Sequence, residues 1–479
     1  MTLFEGRINI AMAVFHVENF GCRAARADGE AVAAHLRASG HSPQHATDAE
    51  VVVVNTCSVT AEADRAARAF IRRTHRRNPL ARIVVTGCYA QRAPAELAAL
   101  PGVAAVVGNS HKALAPELIS SLLNPAQPLH SPELIQIVSA STTLNQNSAP
   151  PQVAQVVDDR FAHSFLEGEQ VTPGTQTRPN LKIQEGCSNR CTFCVIPFTR
   201  GPSRSLPHAA VLKQVHGFVT AGGNELVLSG INLGRWGHDL PALPVRTTLA
   251  ALVRQIFAET ALPRLRLSSI EPMDWNADLI ALLAGFGPSA RLARHVHLPL
   301  QSGSDAVLRR MHRRYRPWHY AEKVHALLAA AGPALTLGAD VMAGFPGETD
   351  AEFDQTLAFL RSLPFGYLHL FPFSPRPGTP GEALHAASPV PQPVVEERMA
   401  RLRSLAHERS LAHRRQFIGQ SLPVITLHTP ADLAHRNRSA ALTDNFLPLE
   451  IAGSLVPNTL LTVRVTALAP HGALLSDPV

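Results

Sequence analysis

The sequence predicts an α/β protein in three parts: an N-terminal doubly wound parallel α/β domain, a central open (β/α)6 partial TIM barrel and a C-terminal small β-barrel. Two stretches that alternate apolar strands with amphipathic helices, residues 12–123 and 181–373, predict the two parallel α/β parts. Short apolar segments separated by turn residues after residue 417 predict the β-barrel. The expected domains are residues 1–123, a linker at 124–172, residues 173–405 and residues 406–479.

The composition is that of a soluble globular protein, with 46% hydrophobic and 17% charged residues in a chain of 479. No apolar stretch approaches the roughly 18 residues of a membrane span, so a cytoplasmic protein without a membrane partner is expected. Six cysteines are too few for a disulfide scaffold in so long a chain and favour metal binding in a reducing compartment. A net charge of +7 makes an anionic partner such as nucleic acid plausible.

In the N-terminal part, three cysteines each follow a predicted strand. The predicted strands are residues 12–20, 51–54, 83–85 and 103–107, and the predicted helices are 30–38, 61–77, 93–100 and 113–123. Cys22, Cys57 and Cys88 come directly after the first three strands. Because the carboxyl ends of parallel strands share one edge, the three thiols are expected to converge on a cluster site. Any one of them alone could instead be a buried structural cysteine.

The helix predicted at residues 61–77 carries four arginines on one face. Arg65, Arg68, Arg72 and Arg76 follow each other at steps of three, four and four residues. This stripe is either a phosphate-binding surface or a solvated helix face, and both interpretations stay open.

The central part alternates strands and helices about six times, two units short of a closed eightfold barrel. Its predicted strands are residues 181–184, 225–229, 264–269, 295–300, 334–343 and 367–373. Polar residues flank several of these strands and are the candidates for a cofactor pocket: Gly222, Gly223, Glu225, Ser269, Glu271 and Gln301. Taken singly, such residues can also be turns or helix caps, and a cap is the expected role of Thr349.

Cys187, Cys191 and Cys194 form a C-x3-C-x2-C motif directly after the first central strand. Thiolates hold iron-sulfur clusters, and no fourth cysteine lies near, so one iron of a cubane would stay open to bind a substrate. An open iron of low potential supports radical chemistry. A zinc knuckle or three buried thiols is the alternative, but zinc sites usually show paired C-x2-C motifs or nearby histidines.

Beyond the cysteine motif lie a basic run and a predicted RNA-binding module. The run, residues 308–315, could contact RNA or form a solvated helix face. A charged helix at 394–416 precedes three predicted strands at 422–427, 446–451 and 460–467. Small β-barrels of this kind often bind RNA, although the fold alone does not establish it.

Several stretches resemble the signatures of the radical S-adenosylmethionine methylthiotransferase family. They are residues 55–60, 86–88, 187–201, 297–304, 344–349 and 373–379. Within the family, Leu300 and residues 268–272 and 313–315 are most similar to the branch that acts on N6-threonylcarbamoyladenosine in tRNA.

The resemblance implies an enzyme that inserts a methylthio group at C2 of the modified adenosine 3′ to the anticodon. It implies two 4Fe–4S clusters held by the two cysteine triads, S-adenosylmethionine as cofactor, tRNA as partner and a monomer with a C-terminal TRAM domain. A sulfur donor and a low-potential electron donor are also required, and the motifs do not specify them. The chain departs from the family pattern at Arg23-Ala24-Ala25, where Lys-x-Asn is usual, and before residues 443–446, where a glycine of an RNA-facing turn is missing.

Other functions remain open at this point. Related family branches act on isopentenyladenosine in tRNA or on an aspartate of a ribosomal protein. A non-catalytic RNA-binding protein with two clusters is an alternative of another class. The basic run and the lack of acidic patches favour RNA over a basic protein as the substrate.

Overall fold

The computed structural model describes residues 13–124, 129–132, 134–135, 153–164, 171, 176–241, 247–284 and 290–477. Much of the predicted linker at 124–172 lies outside these residues. The chain divides into two compact units, residues 1–169 with 195–202 and residues 170–194 with 203–479. Among the described residues, none of the helices has the length and apolar character needed to cross a membrane.

The first unit contains a six-stranded, all-parallel sheet in the order β2-β1-β3-β4-β5-β6. Its strands are β1 (Val14–Asn19), β2 (Ser42–Pro43), β3 (Val51–Thr56), β4 (Arg82–Gly87), β5 (Val103–Gly108) and β6 (Ala154–Val156). The four predicted strands are confirmed. The sequence pattern missed β2 and β6, which are two and three residues long and too short to show a periodicity.

Helices cover the sheet of the first unit. They are Arg23–Ala38, Ala61–Arg77, Cys88–Arg92, Pro94–Ala98, Ala115–Leu123 and Ile196–Arg200, with a 3-10 helix at Asn109–Leu114. The first helix begins seven residues earlier than the predicted start at residue 30, because Cys22 is already its N-cap. The hydroxyl of Thr60 caps the second helix by accepting a hydrogen bond from the Ala63 amide at 3.2 Å.

Strand β3 shows why this sheet needs helices on both faces. Residues 51–54 are four consecutive valines with no exposed surface. Val51 and Val53 belong to one hydrophobic core, and Val52 and Val54 belong to another. A strand buried on both faces is typical of a doubly wound parallel sheet, as predicted.

The second unit contains the open partial barrel. Its strands are β7 (Asn180–Glu185), β8 (Arg204–Ser205), β9 (Glu225–Gly230), β10 (Arg264–Leu267), β11 (His295–His297), β12 (Thr336–Ala343) and β13 (Phe365–Pro372). They form two sheets, β8-β7-β9-β10 and β11-β12-β13, and a parallel bridge between Leu265 and Leu292 lies just before β11. Apart from β8, which is antiparallel to β7, the pairs are parallel. The six predicted barrel strands are confirmed.

Helices follow the barrel strands of the second unit. They are His208–Thr220, Leu249–Glu259, Ala277–Ala281, Asp305–Arg310, Pro317–Ala331, Asp350–Ser362 and Pro380–Ala387. Short 3-10 helices lie at Leu233–Arg235 and Pro272–Asp274. Thr349 forms a capping box with Glu352, which confirms its predicted role as a helix cap.

A 24-residue helix, Gln392–Arg415, leads to a closed β-barrel of five strands. The strands are β14 (Ser421–Thr426), β15 (Arg438–Thr443), β16 (Pro448–Ala452), β17 (Leu460–Leu468) and β18 (Leu474–Asp477). The predicted small barrel is confirmed, but two of its strands were missed. β15 carries small residues rather than large apolar ones, and β18 is four residues long, so neither gives a strong strand signal.

The turn at residues 443–446, where the glycine usual in the family's RNA-facing turn is missing, is held by contacts within the second unit. Asp444 accepts two hydrogen bonds from Arg294, at 2.5 and 2.9 Å, and Asn445 donates to the carbonyl of Ala334 at 3.2 Å. The ring of Phe446 lies 4.4 Å from that of His295. The turn therefore packs against the base of the partial barrel, where an ion pair and an aromatic contact stabilise it.

Candidate active site: two cysteine triads

The structure brings Cys22, Cys57 and Cys88 together at the carboxyl edge of the first sheet. Burial raises the pKa of Cys57 to about 12, and the neighbouring thiols of Cys88 and Cys22 contribute to the increase. Gly21, with φ of +102°, allows this close approach, because a Cβ there would lie 2.1 Å from the Cβ of Cys57. Three converging thiols, of which Cys57 and Cys88 are buried, suit a thiolate-bound cluster, since metal binding releases the thiol protons.

Buried polar groups surround Cys88. Arg200 donates from Nε to Cys88 Sγ at 3.2 Å and from a terminal nitrogen to Asp28 at 3.0 Å. Asn109 also donates to Cys88 Sγ, at 3.4 Å, and Lys112 pairs with Asp28 at 3.2 Å. Hydrogen bonds and positive charge at a ligand sulfur stabilise the thiolate and tune the potential of a bound cluster. Sequence reasoning missed Asp28, Asn109 and Lys112, and it named Arg200 only as part of a family signature.

The position of Ala25, where the family usually has asparagine, lies within the same unit. Ala25 is fully buried, and its backbone carbonyl accepts a hydrogen bond from the side-chain amide of Asn55. The same amide donates to Asn19 at 2.9 Å. The start of the cysteine-capped helix is therefore anchored to β1 and β3 by asparagines of the strands.

The second triad lies in the loop after β7 of the second unit. The Asn189 amide donates to Cys187 Sγ at 3.4 Å, and the Cys194 amide donates to the Cys191 carbonyl at 3.1 Å. The Cys187 thiol has a raised pKa, chiefly because it is buried. All three cysteines keep partial exposure, which an open coordination position requires. The short loop and its all-sulfur donor set fit a three-cysteine cluster.

Arg313 connects this triad to the cofactor-pocket candidates. It donates to Cys191 Sγ at 3.3 Å, to Glu271 at 2.5 Å and to the Tyr315 hydroxyl at 3.2 Å. The Tyr315 hydroxyl lies 2.6 Å from the carbonyl of Leu300, next to Gln301. Tyr315 is fully buried, and burial raises the pKa of its hydroxyl above the ordinary value.

Several arginines of the basic run at residues 308–315 pair with carboxylates of the second unit. Arg310 pairs with Glu352 at 2.8 Å, and Arg314 lies 3.5 Å from Asp274. Arg313 is almost fully buried. The side chains of Arg309 and Arg314 nevertheless keep 61% and 44% of their surface exposed.

The cofactor-pocket candidates divide between the two edges of the sheet. Ser269, Glu271 and Gln301 follow β10 and β11 at the carboxyl edge, and Gln301 adopts a left-handed φ of +67°, which is uncommon for a non-glycine residue. Gly222, Gly223 and Glu225 lie before and at the start of β9, which runs parallel to β7. The structure therefore does not bring these three to the cysteine loop, because that loop follows the opposite end of β7.

Glu225 is fully buried among three arginines. Its carboxylate contacts Arg266 at 2.8 Å, Arg264 at 3.3 Å and Arg178 at 3.4 Å. Burial alone would raise the pKa of Glu225, but the guanidinium charges lower it to about 2. Every one of these contacts is typical of a structural ion network.

We expect Glu225→Gln to destabilise the second unit by about 3–5 kcal/mol, because removing one partner leaves buried guanidinium charges without an anion. The pKa of Glu225 is lowered on folding, so its stabilising effect is present above the ordinary value of 4.5 and is lost as the pH falls towards about 2. The measurement is thermal unfolding of the mutant and the wild type between about pH 2 and pH 8, which covers the range in which the effect is lost. The exposed control Glu322→Gln should not change the unfolding temperature, and an equally small shift in Glu225→Gln would contradict the structural role.

The arginine stripe of the helix Ala61–Arg77 is only partly free for ligands. Arg65, Arg72 and Arg76 are exposed, and Arg65 pairs with Glu62 one turn away. Arg68 is half-buried, bonds the Tyr89 hydroxyl at 2.5 Å and pairs with Glu96 at 3.1 Å. Arg72 and Arg76 are therefore the members best placed to contact an external anion.

The chain is similar to known protein families and to several named proteins. Residues 14–108 match the Uncharacterized protein family UPF0004, and residues 181–360 match the Radical SAM superfamily. The threonylcarbamoyladenosine tRNA methylthiotransferase MtaB of Bacillus subtilis (strain 168) is 34% identical over 446 residues, which is 93% of this chain and 91% of that protein. The tRNA-2-methylthio-N(6)-dimethylallyladenosine synthase of Sorangium cellulosum (strain So ce56) is 32% identical over 453 residues, 90% of this chain and 85% of that protein. The structure of the radical S-adenosylmethionine methyltransferase TsrM from Kitasatospora setae aligns with 75% of each chain, at 15% identity and a TM-score of 0.48.

Proposed function

The chain belongs to the radical S-adenosylmethionine methylthiotransferase family, and from that premise we propose that it inserts a methylthio group at C2 of N6-threonylcarbamoyladenosine, 3′ to the anticodon of tRNA. The observation that carries the reaction is the presence of two separate cysteine triads, each at the carboxyl edge of a parallel sheet. The threonylcarbamoyl substrate follows from the relatives, since five at 31–34% identity carry that name.

Each triad is proposed to hold one 4Fe–4S cluster. When bound, the cluster at Cys187, Cys191 and Cys194 together with S-adenosylmethionine supplies the radical chemistry. Arg313 orients the Cys191 sulfur and holds Glu271 beside it. In the first unit, Arg200 orients the sulfur of Cys88 through a hydrogen bond from its Nε. Glu271, Ser269 and Gln301 are the proposed contacts of S-adenosylmethionine.

The domain boundaries and the cellular setting are part of the same proposal. The proposed auxiliary-cluster domain comprises residues 1–123 together with β6 and residues 195–202 of the same compact unit. Otherwise residues 173–405 form the radical domain, and residues 406–479 form a TRAM-like domain that binds tRNA. The enzyme acts as a monomer in the cytoplasm, where tRNA, a sulfur donor and a reductant are available.

A direct test is the anaerobic reaction of reconstituted protein with S-adenosylmethionine, dithionite, sulfide and tRNA that carries threonylcarbamoyladenosine. Nucleoside mass spectrometry should show the methylthio product. Cleavage of S-adenosylmethionine without any methylthiolated nucleoside would contradict the tRNA substrate, and the absence of cleavage would favour a non-catalytic RNA-binding protein. The dimethylallyladenosine synthases among the relatives make dimethylallyladenosine the alternative substrate.

The exposed arginines of the first unit give a second test of tRNA binding. We expect the double mutant Arg72→Glu/Arg76→Glu to weaken tRNA binding and to reduce the slope of log K against log salt by about 0.7–0.9 for each phosphate that it no longer neutralises. The measurement is fluorescence anisotropy over a series of salt concentrations. Lys213→Glu, on the helix His208–Thr220, is the control, because Lys213 is also an exposed cation on a helix. An unchanged affinity and slope in the double mutant would mean that the stripe is a solvated helix face.

A further inference from the structure

One face of the sheet β11-β12-β13 carries a group of metal-ligating side chains that the cluster chemistry does not use. Leu337, Ala339 and Val341 of β12 are fully buried on one face of this sheet. Asp340 alternates with them and lies on the other face, beside His297 of β11 and His369 of β13. The three side chains therefore form one layer across three neighbouring strands.

Two aromatic rings pack tightly beneath this layer of side chains. The Tyr367 ring occupies the space above Gly338, where a Cβ would lie 2.0 Å from the ring. Phe446 packs below, with its ring 5.6 Å from that of Tyr367. These aromatic rings keep the three side chains from moving towards the base of the barrel. The side chain of His369 keeps 50% of its surface exposed, and that of Asp340 keeps 21%. The layer is thus supported from one side and open to solvent on the other.

The spacing of the three side chains is that of ligands around one metal ion. His297 Nε2 lies 3.1 Å from Asp340 Oδ1, and His369 Nδ1 lies 3.4 Å from the same oxygen. All three donor atoms lie within 4.8 Å of one another. With metal–ligand bonds of about 2.1 Å, two donors stand about 3.0 Å apart across a right angle and about 3.4 Å across a tetrahedral angle.

The Nε2 atom of His297 gives independent evidence. This atom is buried and, within the described part of the chain, has no hydrogen-bond partner, although the Asp340 carboxylate is only 3.1 Å away. A proton on Nε2 would need an N–H aimed along the line to the oxygen. Two ligand atoms of the same metal ion also come this close to each other, but they need no N–H pointing from one to the other. The contact therefore has the geometry of two neighbouring metal ligands rather than of a hydrogen bond.

The second ring nitrogen of His297, Nδ1, has a hydrogen-bond partner, as the non-ligating nitrogen of a metal-bound histidine usually does. His297 Nδ1 lies 2.9 Å from the Tyr367 hydroxyl, which lies 2.7 Å from His295 Nε2. A hydrogen bond donated from Nδ1 leaves the lone pair of Nε2 free for a metal.

We propose that His297, Asp340 and His369 bind one divalent transition-metal ion of the zinc, iron or manganese type. Two imidazoles and one carboxylate suit such ions, and this donor set differs from the all-thiolate set of the cysteine triads. The half-exposed side of His369 leaves coordination positions open for water or for an oxygen atom of a ligand. The site stands apart from the proposed function, because it rests on these three side chains alone.

The test uses the reconstituted holoenzyme and Mn2+ as the probe, since Mn2+ prefers nitrogen and oxygen donors to thiolates. Metal analysis first measures zinc and manganese that copurify, and a mild chelator then removes them. Loss of the six-line electron paramagnetic resonance signal of free Mn2+ reports binding. We expect one ion per chain in the wild type, either copurified or added.

The mutants decide where the ion binds. Because loss of even an outer-shell partner costs about 10- to 100-fold in metal affinity, Tyr367→Phe should weaken binding by about that factor, and Asp340→Asn and His369→Ala by about 100-fold or more. His369→Ala removes a half-exposed side chain and should keep the fold, which the visible absorbance of the clusters checks. The exposed control His325→Ala should bind like the wild type. The proposal is overturned if the wild type takes up neither Mn2+ nor Zn2+ at millimolar concentration, or if both Asp340→Asn and His369→Ala bind as the wild type does.

Discussion

Cys191→Ala is expected to lose reductive cleavage of S-adenosylmethionine and, with it, methylthiolation, which should fall to background, at least about 10⁶-fold. Cys191 is one of only three sulfurs in its loop, so two remaining thiolates cannot hold a stable cubane. The first triad belongs to a separate sheet and should keep its iron. Iron content should therefore fall from about eight to about four atoms per chain.

The matched variant is Cys57→Ala in the first triad. It should also lose about half of the iron and all methylthiolation, but it should keep the cleavage of S-adenosylmethionine, because Cys187, Cys191 and Cys194 are intact. Iron and 5′-deoxyadenosine are the quantities to measure. A fully reconstituted wild type with about four irons would refute the second cluster, and loss of both activities in both variants with all iron retained would refute this division of roles.

Competition between two tRNA substrates should give a preference of about 10⁴-fold for threonylcarbamoyladenosine over dimethylallyladenosine. A pocket that hydrogen-bonds the polar threonylcarbamoyl group leaves its own buried polar groups unpaired against an apolar dimethylallyl group. Both cysteine triads would serve either substrate equally, so the discrimination must come from other residues of the second unit.

The measurement is a competition assay with purified enzyme and tRNAs that carry one or the other modification, read out as methylthiolated nucleosides. An unmodified adenosine tRNA is the control for non-specific reaction. Faster turnover of the dimethylallyl substrate would overturn the threonylcarbamoyl assignment and leave the cluster chemistry unaffected. The assay thus separates the choice of substrate from the reaction itself.

Local sequence pattern was sufficient for the architecture and for the cysteine sites. Cys22, Cys57 and Cys88 could be placed on one edge because each follows a strand of the same parallel sheet. The second triad was visible as a motif within eight residues. In both cases the geometry follows from short-range periodicity, which a sequence displays directly.

The partners of the cysteines could not be predicted in this way. Arg200 lies 112 residues from Cys88 in the chain, and Arg313 lies 122 residues from Cys191. The basic run around Arg313 suggested RNA contact or a solvated helix face, whereas the carboxylates beside Arg310 and Arg313 are seen only in the fold. A charged side chain has the same local pattern whether it faces water, RNA or a buried carboxylate.

The sequence by itself determined the α/β order of the first two parts, the small barrel and the six cysteines that we propose as iron ligands. Only the tertiary structure decided that Glu225 belongs to an arginine network away from the cysteine loop, that the turn carrying Phe446 supports the partial barrel, and that Asp340 meets two histidines. The physical reason is that strand and helix periodicity is a local property, whereas ion pairs and metal-ligand sets form between residues that only folding brings within a few ångströms.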